Sequence, residues 1–212
     1  MSVVLHDYWR SSAPYRVRIA LALKGVAYER VAVDLGTGAQ RDPAHLRLNP
    51  QGLVPALEID GIVLTQSLAI IEYLDETRPG PALLPADRAG RAWVRALSQA
   101  IACDIHPLSN LRVLTRVEAL GGSDARAAWN RDNIATGLAA FEAMLTHGPA
   151  GRFCHGDRPG MADCTLIPQL YNAARWGVNI AHLPRIMAVA DSCADHPAFV
   201  AAHPDRWDPA KA

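Results

Sequence analysis

A chain of 212 residues can bury a sizeable core, as one large domain or two small ones. Its 21 basic residues balance 21 acidic ones, so no overall field draws it toward nucleic acid or an anionic membrane. With 50% hydrophobic and 20% charged residues it has the make-up of a soluble globular protein, and an anionic ligand would need a local arginine cluster.

The pattern along the chain opens with a short apolar strand at residues 3–5. Pro14 stands near a helix start, where its missing N–H costs nothing. From Tyr15 to Lys24 the residues Val17, Ile19, Ala20, Leu21 and Leu23 predict a mostly apolar helix, closed by Gly25. Residues 28–33 read as a second, parallel strand. A polar stretch over 34–42 leads to a short helix at 44–48. Residues 54–59 and 62–65 read as antiparallel strands joined by the turn Asp60-Gly61. A helix from Ser67 then carries Leu68, Ile70, Ile71 and Leu74 on one side, with Glu72, Asp75 and Glu76 outward. The order β-α-β-(α)-β-β-α is that of the thioredoxin fold. A Rossmann domain would continue with parallel strands and carry a G-x-G-x-x-G, which this sequence lacks.

Pro79-Gly80-Pro81-Ala82-Leu83-Leu84-Pro85-Ala86-Asp87 is rich in breakers and reads as a linker, and no strand is predicted beyond it. A long helix is expected from about Asp87 to Glu118, kinked at Pro107. Gly121-Gly122 breaks the chain, and Ser123 or Asp124 caps a helix reaching His147. Asp163 opens another through Trp176, a shorter one covers 183–194, and the Pro- and charge-rich tail from Pro204 is expected to be loose. The predicted class is α+β/α: an N-terminal thioredoxin-like domain (βαβ-ββα) over residues 1–80, then an all-helical C-terminal domain over 88–212.

No apolar run approaches a membrane span, and Met1-Ser2-Val3-Val4-Leu5-His6-Asp7-Tyr8 lacks the basic and apolar regions of a signal peptide. Cys103, Cys154, Cys164 and Cys193 form no C-x-x-C and no metal-ligand spacing. The expectation is reduced, mostly buried thiols in a cytoplasmic protein with no metal site.

Three segments carry chemistry. Trp9-Arg10-Ser11-Ser12-Ala13-Pro14 places two hydroxyls at a strand-to-helix junction, where unpaired N–H groups and the positive helix end favour an anion. Ser11 and Ser12 either cap the helix or donate to a thiolate, whose pKa such a site lowers. Asn49-Pro50-Gln51-Gly52-Leu53-Val54-Pro55 presents a strand-opening proline, cis or trans. The cis form would leave the Val54 backbone groups free to pair with an extended peptide-like ligand. In Thr65-Gln66-Ser67, Ser67 is either an N-cap or a carboxylate binder, with Gln66 beside it.

These motifs, namely Ser11-Ser12-x-x-x-Arg16-Val17-Arg18-Ile19-Ala20-Leu21-x-x-Lys24-Gly25, Asn49-Pro50-Gln51-x-x-Val54-Pro55 and Gln66-Ser67-x-Ala69-Ile70-Ile71-x-Tyr73-Leu74, resemble the zeta class of glutathione transferases. Within it they look most like the bacterial maleylacetoacetate and maleylpyruvate isomerase family, from about residue 5 to 200. The resemblance implies the glutathione transferase fold and a homodimer with glutathione as cofactor. Ser11 would face the sulfur with Ser12 beside it, Gln51 and Val54 the cysteinyl-glycine part, and Gln66 and Ser67 the γ-glutamyl end. It also implies a small dianionic substrate. Cys103-Asp104-Ile105-His106-Pro107-Leu108-Ser109-Asn110-Leu111-Arg112 and Ala173-Ala174-Arg175-Trp176 match segments of the acidic-substrate pocket. Arg175 would bind a carboxylate. Arg10, Arg16, Asn110 and Arg112 are further substrate candidates, and His106 is a catalytic or glutathione-binding candidate. The implied reaction is cis–trans isomerisation of a maleyl keto-acid. A conjugating transferase or dehalogenase acting on halo-acids, and a non-enzymatic interaction module, are the alternatives. Two positions depart from the pattern: Ala13 stands where many eukaryotic members have cysteine, and Gly160 where a capping Ser or Thr is usual.

Overall fold

The computed structural model describes residues 2–149, 151–208 and 210. Two compact units emerge, one of Met1–Leu83 with His196–Ala212, the other of Leu84–Asp195. The sequence reading ran the helical domain through residue 212. The structure instead returns the chain to the first unit at His196.

In the first unit a four-stranded sheet has the order β2-β1-β3-β4, from β1 (Val4–Asp7), β2 (Glu29–Ala32), β3 (Ala56–Ile59) and β4 (Ile62–Thr65). Strands β1 and β2 are parallel, with Val4 opposite Glu29, and the other pairs are antiparallel. The expected βαβ-ββα order is present, completed by α1 (Ser12–Leu23), α2 (Pro43–Leu48) and α3 (Ser67–Thr77). Gly25 follows α1 at φ +64°, a backbone state that glycine adopts without a Cβ penalty. Asp60 and Gly61 both take positive φ in the β3–β4 turn, as a two-residue hairpin requires. The core between sheet and helices is built from Leu5, Val17, Ile19, Leu21, Leu57, Ile70 and Ile71. The Val54–Pro55 peptide bond is cis.

The second unit is helical. The expected helix from Asp87 to Glu118 is not continuous: α4 (Arg88–Gln99) passes into a π-helical stretch, Ala100–Ile105, and a 3-10 turn, His106–Ser109. Pro107 has no N–H to donate and its ring crowds the preceding turn, so the helix ends and restarts as α5 (Leu111–His147). Gly122, at φ 83° and ψ −179°, breaks α5 into two helical pieces at the expected place. Then come α6 (Met161–Arg175) and α7 (Pro184–Ala194).

A further helix, α8 (Pro197–Ala202), has no counterpart in the sequence reading; it packs on α1 in the first unit. The tail is also less loose than expected. Pro204–Arg206 forms a 3-10 turn with Pro204 buried, while residues 209, 211 and 212 lie outside the described ones. Among the described residues no helix is long and apolar enough to cross a membrane.

At the start of α6, Asp163 is 1% exposed and accepts from the N–H groups of Gly160 at 2.8 Å and Cys154 at 2.9 Å. Burial raises its pKa, against the lowering effect of those donors. Glycine at the N-cap returns no hydroxyl, so the carboxylate alone ties the helix start to the preceding loop. Asp163→Ala leaves both N–H groups without that acceptor, and the expected loss of unfolding free energy is about 3 kcal/mol. Denaturant titration of Asp163→Ala and Asp163→Asn checks this, with asparagine, which keeps one acceptor oxygen, losing less.

Candidate functional site

Two helix starts and one loop of the first unit are joined by side-chain bonds. Ser11 is the N-cap of α1 with extended backbone (φ −73°, ψ 130°), held by its N–H to the Tyr8 carbonyl at 2.9 Å. Its hydroxyl makes no capping bond. Ser12, the first helical residue, is buried. One turn on, Arg16, 2% exposed, donates from Nη1 to Ser67 Oγ at 3.2 Å and so links α1 to the first residue of α3. Gln66, the N-cap of α3, has φ +67° and ψ 114°, which is uncommon for a residue with a Cβ. Its Nε2 donates to Gln51 Oε1 at 2.8 Å, joining the β4–α3 junction to the loop before β3.

That loop is itself braced. The buried Asn49 donates to the Leu53 carbonyl at 2.8 Å and accepts from the Gln51 N–H at 3.1 Å, while His45 Nε2 meets the same Leu53 carbonyl at 2.9 Å. Val54 follows directly, beside the cis bond. Neither α1 nor α3 has an acidic residue in its first turn to offset the positive end of its helix. An uncommitted hydroxyl, two open helix starts and a pair of amide side chains suit an anionic ligand with several hydrogen-bonding groups.

Sequence reasoning missed the group that fixes the β1–α1 loop. Asp7 and Arg18 are both fully buried. Arg18 Nη1 donates to the two Asp7 oxygens at 2.7 and 2.8 Å, and Nη2 to the Trp9 carbonyl at 2.8 Å. Arg30 Nε adds a bond to Asp7 at 2.6 Å. Beside them burial pushes the Tyr28 hydroxyl up to about 12, against the pull of Arg18. The available signal was a charged residue inside the apolar run Val17-Arg18-Ile19-Ala20-Leu21.

The second unit holds the remaining candidates. His106 opens the 3-10 turn, Asn110 is the N-cap of α5, and Arg112 is exposed in its first turn. The turn is braced by Ser109 Oγ, which donates to Asn130 Oδ1 at 2.6 Å, and by Trp129 Nε1, which donates to the Leu108 carbonyl at 3.1 Å. Arg175 is exposed at the last residue of α6. The neighbouring Trp176 carbonyl accepts from Arg131 Nε at 2.9 Å. In the first unit, Arg10 is exposed with its guanidinium 5.7 Å from the ring centroids of Tyr8 and Trp9.

With this geometry in view, comparison with known proteins gives the family. Residues 1–76 match the N-terminal domain, and residues 113–201 the C-terminal domain, of the glutathione S-transferases. The chain belongs to the glutathione S-transferase family. Among its relatives, a maleylacetoacetate isomerase of Rhizobium meliloti (strain 1021) is 60% identical over 208 residues, 97% of this chain and 98% of the relative. The holo structure of a maleyl pyruvate isomerase, a bacterial glutathione S-transferase of the zeta class, has a TM-score of 0.94 at 46% identity, covering 99% of this chain and 100% of that one. A maleylacetoacetate isomerase from Anaeromyxobacter dehalogenans 2CP-1 has dicarboxyethyl glutathione and citrate bound in its active site. Its TM-score is 0.88 at 46% identity, covering 99% and 94% of the two chains. The zeta-class resemblance read from the motifs is borne out.

All four cysteines are free thiols, with Cys103 exposed and Cys154, Cys164 and Cys193 buried. Burial first, and the charge of Asp163 second, raise the pKa of the three buried thiols. Among the described residues no group of three or more His, Cys, Asp or Glu is arranged to hold a metal ion. A disulfide reagent added to the native protein is expected to modify Cys103 alone, the other three reacting only after denaturant is added. Thiol titration before and after unfolding checks this, and fast native reaction of more than one cysteine contradicts it.

Proposed function

We propose that this protein is a glutathione-dependent cis–trans isomerase, converting a maleyl keto-acid, maleylacetoacetate or maleylpyruvate, to its fumaryl isomer. The observation that carries the reading is the Ser11 hydroxyl, left out of the cap at the start of α1, in a chain whose near-full-length relatives are isomerases. In this reading the first unit holds glutathione and the second supplies the substrate contacts. The protein works as a cytoplasmic homodimer.

When bound, glutathione supplies a thiolate that adds reversibly to the conjugated alkene, so the bond turns single, rotates and re-forms as trans. Ser11 donates a hydrogen bond to the sulfur, and the open N-terminus of α1 favours its negative charge; together they lower the thiol pKa. Gln66, Ser67 and the α3 N-terminus bind the γ-glutamyl end, Gln51 and the Val54 backbone the remainder. Arg16 is a support for Ser67 rather than a substrate contact, because its guanidinium is buried and bonded there. Ser12, also buried, supports the helix start.

Arg175 anchors one substrate carboxylate, with Arg112, Asn110 and Arg10 as further contacts and His106 near the reacting carbons or the tripeptide. In a chain with no net charge, a dianion must be held by such local cations. The relative that binds dicarboxyethyl glutathione and citrate supports a carboxylate-accepting pocket beside the tripeptide.

Turnover of both substrates is followed by absorbance, with free glutathione assayed before and after. Glutathione is expected to be required and not consumed; loss of one equivalent per turnover would instead indicate a conjugating transferase. The ratio of kcat/KM for the two substrates assigns the preferred one. Ser11→Ala is expected to raise the pKa of bound glutathione, read from thiolate absorbance against pH, and an unchanged titration moves the role to another residue. Arg175→Ala is expected to lower kcat/KM by roughly 30- to 1000-fold, about 2–4 kcal/mol, with glutathione affinity retained. Arg175→Lys recovers only part, since ammonium lacks the planar fork. Parent-like kinetics in both variants would place the carboxylate site elsewhere.

A further inference from the structure

The Arg18 guanidinium also reaches the far end of the chain. Its Nε donates to the carbonyl of Ala202, the last residue of α8, at 3.0 Å, across 184 positions of sequence. The same planar group therefore holds three things at once: the Asp7 carboxylate, the Trp9 carbonyl and the end of α8. Trp9 stands two residues before Ser11, so besides the helix bond from the Tyr15 N–H to the Ser11 carbonyl the loop carrying the Ser11 hydroxyl has two described fixed points. One is internal, from the Ser11 N–H to the Tyr8 carbonyl. The other is external, through Arg18.

The tail touches two neighbours of this guanidinium. The Tyr15 ring lies 5.1 Å under Arg18 and meets the His203 ring edge-on at 6.2 Å. Arg30, which shares Asp7 with Arg18, lies 5.4 Å over the ring of Trp207. Phe199 and Ala202, 3% and 2% exposed, bury α8 in the unit. A guanidinium that loses one acceptor in a dry site keeps an unpaired N–H or turns to find another partner, and either outcome disturbs its remaining bonds.

We infer that Arg18 is a positioning residue for Ser11, and that α8 with the turn after it is the strut that holds Arg18 in place. The C-terminal segment thereby sets how well the site stabilises a thiolate, although it contributes no group to the ligand. This rests on the assignment of Ser11 to the glutathione sulfur. The gripping loops around Gln51 and Gln66 are braced separately, by Asn49 and by each other, so the strut acts on the state of the thiol more than on its capture.

The test uses Phe199→Ala and Trp207→Ala in the full chain, with Leu138→Ala, a core change in the second unit, as a control for lost stability. Three quantities are read: the pH titration of bound glutathione by thiolate absorbance, glutathione affinity by calorimetry, and exchange of the Ser11 amide in the ligand-free protein. Phe199→Ala is expected to leave about tenfold less thiolate at a given pH. Affinity should change less than about threefold, and Ser11 exchange should be faster. Trp207→Ala should move each quantity in the same direction by less, and it carries the test alone if Phe199→Ala does not fold. Leu138→Ala should lower the unfolding midpoint and leave the titration as in the parent. Parent-like titrations in both tail variants, or an equal shift in Leu138→Ala, overturn the strut. Ser11→Ala in the same assay separates the two readings. A shift there with none in the tail variants rejects the strut alone, and a shift in the tail variants with none in Ser11→Ala rejects the assignment of the hydroxyl.

Discussion

The buried ion pair between Asp7 and Arg18 is the constraint around which the first unit is arranged. Taking both ions out of water costs several kcal/mol per ion, and their attraction offsets this only if the remaining donors and acceptors are satisfied. Here they are: the carboxylate also receives Arg30, and the guanidinium also reaches two backbone carbonyls. Such a pair adds little net stability over an apolar pair of the same volume. Its effect is positional, because each bond tolerates little displacement and any one lost leaves a charge or an N–H in a dry interior. Strand β1, the loop after it and helix α1 are held in one geometry as a result, and that geometry presents Ser11.

The chemistry proposed for the site uses the same economy of charge. With no net charge on the chain, selectivity for an anion comes from where partial charges point. Two helices, α1 and α3, start without acidic residues in their first turns, so no acidic side chain there offsets their unpaired N–H groups. The sequence up to residue 102 brings no thiol to this. No cysteine precedes Cys103, and the three buried ones are held protonated by burial. In the proposed mechanism the nucleophile belongs to the bound tripeptide, and the protein supplies the setting that ionises it.

The first unit was legible in the sequence because its signals are local. Short apolar strands, Gly25 after a helix and Asp60-Gly61 in a hairpin each follow from a few neighbouring residues. The break at Gly122 was readable for the same reason. The π-helical stretch at Ala100–Ile105 was hidden because apolar residues continue through it, and only Pro107 marked the change. Helix α8 spans six residues, too few to display a helical period, and it owes its form to packing on α1. The site divides along the same line. Ser11, Gln51, Gln66 and Ser67 could be nominated from motifs, but the bond between Gln51 and Gln66 exists only because the β3–β4 hairpin returns the chain. Arg18 was conspicuous as a charge in an apolar helix, yet its carbonyl partner at Ala202 lies too far along the chain for any window to pair them.

The return of the chain to the first unit at His196 has a consequence for the order in which the protein is made. As the polypeptide leaves the ribosome, residues 1–83 emerge with strands, helices and the Asp7–Arg18 pair available, but Arg18 Nε has no Ala202 carbonyl to meet. The whole helical unit must be synthesised before that acceptor arrives. At about 5–20 residues per second, the intervening stretch keeps the first unit waiting for roughly 6 to 24 seconds. During that interval the face of α1 on which α8 packs in the finished molecule is uncovered.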